Sequence, residues 1–177
     1  MHAFWKNGYG ATGIAELELV TGLGRQSLYG AFGDKDELFA RALDYYFERV
    51  LRHGLSHLLE GAGSARDGLN RVFAAWESLA AQDDFQGCLL CKSLLEIGHA
   101  TAQRSEQLRQ MLVRLEDVFV QTLKRGVRDG SLREDLSVRA TARLLLVGMQ
   151  GLSLLCTARR DPRFVRDVVT GLRHTLD

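Results

Sequence analysis

The chain has 177 residues, 46% of them hydrophobic and 25% charged, with one proline and a formal net charge of +1. That is the balance of a soluble globular chain with one ordinary domain or two small ones, and the near-neutral charge decides nothing about a nucleic-acid partner. Three cysteines, Cys88, Cys91 and Cys156, are too few and odd in number for a disulfide framework; with no signal peptide and no apolar run of bilayer-spanning length, the expected setting is the cytoplasm with no membrane partner.

Long apolar-periodic stretches with few breakers predict an all-α chain of about nine helices, three short ones and then about six longer. "NGYGATG" (Asn7 to Gly13) breaks the chain near its start. Ile14, Leu17 and Val20 mark a short helix over Gly13 to Thr21. Gly22-Leu23 forms a turn, and a second short helix runs from Gly24 to Phe32. "GDKDEL" opens a longer helix with Asp34 as N-cap and acids in the first turn. Its buried stripe is Leu38, Phe39, Ala42, Leu43, Tyr46, Phe47, Val50 and Leu51.

Ser64 caps a helix whose apolar face holds Leu69, Val72, Phe73, Trp76 and Leu79. "AQDDFQG" is a loop and "CLLCKSLLEIGHA" a short helix. A long helix spans Arg104 to Arg128, with Leu108, Met111, Leu112, Leu115, Phe119 and Leu123 on one side. "DGSLREDLS" is a turn that ends on Ser137 as the next cap. Val138 to Thr157 is strongly apolar, and "RRDPRF" then sets Asp161 as cap and Pro162 at the first position of a last helix.

Two short helices joined by a tight glycine turn are the outline of a helix-turn-helix. Arg25, Gln26 and Ser27 lie at the N-terminus of its second helix, the end that meets base edges in a major groove. Arginine donates bidentately to guanine and glutamine pairs with adenine. "GYGATGIAEL…TGLGRQSLYGAFGDKDELF" resembles the DNA-binding segment of TetR-type (TetR/AcrR) transcriptional regulators. Gly8, Tyr9, Thr12, Ile14, Gly22, Leu23, Ser27, Leu28, Tyr29, Phe32, Lys35 and Leu38 match in order and spacing.

The resemblance implies a helix-turn-helix domain over residues 1–45 and a larger helical domain over 46–177 for ligand binding and dimerisation. It implies that Thr12 caps the second helix and touches phosphate, that Arg25, Gln26 and Ser27 face the groove, and that Tyr29 and Lys35 contact the DNA backbone. The alternative for Tyr29 is a core side chain and for Lys35 a solvated charge. The chain departs from the pattern in three places. Its first helix is short. Glu18 stands where a small or apolar residue is usual. Residues 1–50 carry five positive and seven negative side chains, a poor footprint for a duplex.

In the second region Trp76, Phe85, Met111 and Phe119, with His99 as a polar contact, are candidates for the pocket of a small-molecule effector, or else ordinary core. Gly148, Gly151, Leu152 and Leu155, with Phe164, Val168 and Leu172 of the last helix, are candidates for a homodimer's four-helix interface. Cys88 opens a helix with Lys92 one turn on, which would favour a reactive thiolate; the alternative is a small packed hydrophobe. The Cys88–Cys91 pair lacks the further ligands a zinc site needs, and no cofactor or catalytic signature is present.

The expected function is a one-component regulator, a repressor that binds double-stranded operator DNA as a homodimer and is released by a small ligand or thiol modification. It is not expected to be an enzyme. Two other readings stay open: a small all-α thiol redox module using Cys88 and Cys91, and a TetR-like sensor that has lost DNA binding.

Overall fold

The computed structural model describes residues 1–96, 101–159 and 161–177, and every regular element among them is helical. The helices are α1 (His2–Ala11), α2 (Ile14–Thr21), α3 (Arg25–Phe32), α4 (Lys35–Tyr45), α5 (His53–Glu60), α6 (Ala65–Ala80), α7 (Leu89–Leu95), α8 (Ala102–Arg128), α9 (Val138–Ala158) and α10 (Pro162–His174). A π-helical stretch (Tyr46–Arg52) joins α4 to α5 with helical dihedrals at both junctions. These three pieces form one rod, so the described residues make nine rods. The boundary expected at residues 45 and 46 therefore falls inside a continuous helix, not in a linker.

Local side-chain caps set the starts of α4, α6, α8 and α10. Asp34 accepts from the amide of Glu37, and Thr101 from that of Arg104. Ser64 and Asp67 bond reciprocally as a capping box, and Asp161 accepts from Arg163 and Phe164 behind Pro162. Ser137 precedes α9, but its side chain makes no capping bond, contrary to expectation.

Phe39, Leu43 and Phe47 on one face of the long rod are fully buried. Phe4 of α1 meets Phe39 edge-on, with ring centroids 4.9 Å apart, and so docks the first helix on the rod. The core then runs through Leu69 and Phe73 of α6, Leu108, Leu115 and Phe119 of α8, and Leu145 and Met149 of α9.

Of the described helices, α9 alone is long and apolar enough to cross a bilayer by length and composition, with 21 residues and mean hydropathy 1.3. This corrects the expectation that no such run exists. The helix packs Leu145, Met149, Leu152 and Cys156 into the core and leaves Leu144, Val147, Leu154 and Leu155 exposed. It is apolar on two faces, only one of which is covered.

Candidate nucleic-acid interface

Gly22 ends α2 in the left-handed region (φ 69°), and its amide bonds the Glu18 carbonyl. Gly24 then caps α3 with extended backbone. Leu17 of α2 and Leu28 of α3 are buried and fix the two helices together. Arg25, Gln26 and Ser27 lie exposed on the first turn of α3, and Tyr29 is 37% exposed one turn on. The Arg25 guanidinium sits over the Tyr29 ring, 5.4 Å from its centroid, with Nη2 3.4 Å from the phenol oxygen. Lys35 of α4 holds its ammonium 4.3 Å from the centre of the Tyr9 ring. The fold thus brings Arg25, Gln26, Ser27 and Tyr29 onto one short exposed helix, with Lys35 at the start of the next.

Two features differ from expectation. Thr12 is fully buried, and its hydroxyl donates to the Gly8 carbonyl at 2.6 Å. It neither caps α2, whose N-cap is Gly13, nor is exposed at the surface. Glu18 provides the cap at the next helix: its carboxylate accepts from the Arg25 amide at 2.6 Å. The sequence marks Glu18 as unusual but not as a partner of α3.

Behind this unit, α1 is broken at Gly8 (φ 81°, ψ 176°). A break frees backbone groups on both sides, and α7 with its C-cap residue supplies partners for them. Lys92 donates to the Trp5 carbonyl at 2.7 Å and to that of Lys6 at 3.3 Å. The Glu96 carboxylate accepts from the amides of Tyr9 (3.0 Å) and Gly10 (2.9 Å). Cβ atoms at Gly8 and Gly10 would stand 3.3 and 3.2 Å from Glu96 Oε1, so glycine at both positions permits this approach. Arg104 of α8 completes the junction: it pairs with Asp36 of α4 at 2.9 Å and lies 4.0 Å over the Tyr9 ring. These partners are remote in sequence and carry no local signal except the paired glycines of "GYG".

A cavity of about 520 Å³ opens between the rod, α6 and α9. Trp76, Phe85 and Cys88 line it, together with Trp5 of α1 and Tyr46. The Trp5 indole donates to the Gly87 carbonyl at 2.8 Å, so the first helix forms part of the wall. Met111 and Phe119 are fully packed core residues that do not line the cavity, and Lys92 points to α1 instead. His99, the expected polar contact, lies outside the described residues.

Cys88 is only 6% exposed, and burial pushes its thiol above the usual range despite neighbouring hydrogen bonds. Burial also raises the Cys91 thiol. Of the two readings of Cys88, burial favours the packed hydrophobe over the thiolate, since desolvation outweighs the terminus of a seven-residue helix. Among the described residues no group of three or more His, Cys, Asp or Glu side chains could hold a metal.

The expected dimer residues divide between two environments. Leu152 and Leu172 are buried in the chain's own core. Gly148 is half-buried at the crossing of α9 and α10: a Cβ there would meet Leu172 Cδ1 at 2.6 Å. Gly151 has nothing within 4 Å of such a Cβ. With Leu155 it joins the exposed apolar stripe of Leu144, Val147 and Leu154. Phe164 and Val168 are half-buried beside that stripe's helix.

Comparison with known proteins agrees with this arrangement. The family model described as "Bacterial regulatory proteins, tetR family" matches residues 1–42. The model described as "Tetracyclin repressor-like, C-terminal domain" matches residues 65–172. The uncharacterized HTH-type transcriptional regulator YezE of Bacillus subtilis (strain 168) is 26% identical over 179 residues, which cover 100% of this chain and 92% of that protein. The HTH-type transcriptional repressor ComR of Escherichia coli (strain K12) is 26% identical over 155 residues, 87% of this chain and 74% of that one. Among solved structures, a cysteine mutant of the TetR family regulator CifR complexed with 26-bp double-strand operator DNA superposes with a TM-score of 0.80 at 26% identity, covering 98% of this chain and 89% of that one.

Proposed function

The chain belongs to the TetR family of bacterial regulatory proteins, and from that membership we propose that it is a one-component repressor, not an enzyme, that works on the chromosome in the cytoplasm. The observation that carries this reading is α3, whose exposed first turn presents Arg25, Gln26 and Ser27 while Leu28 alone is deeply buried. Arg25, Gln26 and Ser27 would face the base edges of the groove; Tyr29 and Lys35 would contact the phosphate backbone. The operator complex of the similar CifR mutant and the repressor name of ComR support this assignment.

The exposed stripe Leu144, Val147, Gly151, Leu154 and Leu155 would be covered by the same stripe of a second copy. A twofold pair supplies one α3 to each half-site. The cavity would hold the effector. Trp5 stands in its wall, and α1 is tied to Gly87, Lys92 and Glu96 in and around α7, so occupancy would act on α1, the helix behind the reading unit. Release of DNA then follows from different effector affinity for the two states.

Fluorescence anisotropy with DNA from upstream of the protein's own gene, across a salt series, tests the reading. Selective, salt-sensitive binding that Tyr29→Ala weakens and Arg25→Ala makes less selective is the expected result. Equal affinity for that DNA and for unrelated duplex would count against it at that site.

A further inference from the structure

Among a larger set of aliphatic side chains, four aromatic ones, Trp5, Tyr46, Trp76 and Phe85, line the cavity. Both tryptophans of the chain are among them. The titratable groups at its wall are His2, Tyr46, Asp84 and Cys88; no Lys or Arg lines it among the described residues. Burial holds the Tyr46 phenol and the Cys88 thiol in their neutral forms. The ammonium on neighbouring α7, Lys92, is committed to the carbonyls of Trp5 and Lys6. Asp84 is exposed at the rim.

We propose that this cavity takes a ring-bearing molecule without an anionic group, either uncharged or cationic. That its ligand is the effector rests on the regulator reading above; the charge preference rests on the wall alone. An aromatic ligand gains contact area against the four rings. A carboxylate or phosphate that entered would lose its hydration with no Lys or Arg in the wall to pair with, and would face Asp84 at the mouth. A cation keeps compensation from the ring faces and from Asp84. A volume of about 520 Å³ suits a small polycyclic molecule.

Titration calorimetry on the DNA-free chain at pH 7.5 tests this with three probes of one shape: 2-naphthylmethanol, N-methylquinolinium and 2-naphthoate. The alcohol and the quinolinium should bind roughly tenfold or more tighter than naphthoate, since one unpaired charge costs at least about that factor. Trp76→Ala should weaken both by roughly tenfold, with circular dichroism confirming its fold. Leu79→Arg places the missing cation at an exposed rim position and should raise naphthoate affinity by roughly tenfold. Naphthoate binding as tightly as the alcohol, an unchanged naphthoate affinity in Leu79→Arg, or no binding of any probe would overturn the proposal. Loss of selective DNA binding in the anisotropy experiment, with the calorimetric order intact, would instead sink the regulator reading and leave the ligand class standing.

Discussion

The Glu18 carboxylate accepts a 2.6 Å hydrogen bond from the backbone amide of Arg25, the first residue of α3. A negative charge thus occupies the amide end of the helix that would enter the groove. It stabilises the helix start, and it opposes any phosphate that approaches the same end. Glu18→Gln keeps an acceptor and removes the charge. Its DNA affinity should rise about two- to fivefold at low ionic strength, with the gain shrinking as salt is added. Anisotropy titrations of the two proteins side by side check this; an unchanged or weaker affinity would show that Glu18 acts as a cap alone.

The contact of Glu96 with the broken end of α1 predicts coupled costs. Gly8→Ala forces φ 81° on a residue with a Cβ, and pushes that Cβ to 3.3 Å from Glu96 Oε1. It should destabilise by about 1–3 kcal/mol. Glu96→Ala frees the amides of Tyr9 and Gly10 and should lower Tm by several degrees. In the double variant part of the Gly8 cost disappears, because the close approach to the carboxylate is gone while the backbone strain stays. Thermal melts of the four proteins measure the difference. Strict additivity would show that the two residues act independently.

Val147 is 68% exposed on the uncovered face of α9. Val147→Glu removes nothing from the chain's own core, so its melting should change little under conditions where the protein is monomeric. Two copies of the charge would meet across a twofold interface and oppose pairing. Sedimentation should show a monomer, and DNA affinity should fall by about tenfold or more as the second half-site contact is lost. An intact dimer would mean that another surface pairs the chains.

The buried Cys88 thiol sets a pH dependence. Burial raises its pKa above that of an exposed thiol, so at pH 7.5 the reactive thiolate is scarcer than in an exposed cysteine. Labelling with iodoacetamide should be slower in the folded chain than in the chain unfolded by urea. The folded rate should still be climbing as pH passes 9, where an exposed thiol begins to level off. Mass spectrometry of the peptide that contains Cys88 follows it directly, apart from Cys91 and Cys156. Fast labelling near neutrality, faster than in urea, would restore the thiol-sensing alternative.

The helix-turn-helix was legible in the sequence because its determinants are local. Gly22 supplies a left-handed turn, Asp34 caps the next helix within one turn, and Leu17 and Leu28 need only face each other across that turn. Arg25, Gln26 and Ser27 are exposed because the first turn of a short helix anchored by Leu28 has little else to touch. Thr12 was misassigned because a hydroxyl two residues before a helix also fits the alternative it adopts, a bond back to the carbonyl at Gly8. Periodicity likewise identified the apolar residues of α6 and α8 without showing which of them a cavity would reach. Trp76 lines that cavity while Met111 and Phe119 are packed in the core, because the spacing between helices depends on all of them at once.

The same limit is sharpest on α9, which is apolar on both faces. A 3.6-residue period cannot say which face turns inward. The tertiary structure decides it: α10 crosses at Gly148 and seals Leu152 and Leu172 inside, while Gly151 and Leu155 remain outside. It also decides that Glu96, 86 residues from Gly10, closes the broken end of the first helix. The sequence by itself determined the helices, the caps at Asp34, Ser64 and Asp161 and the exposed reading turn, since those depend on neighbours within a few residues. Only the folded chain determined the cavity, the clamp on α1 and the free face of α9, since those depend on which surfaces meet.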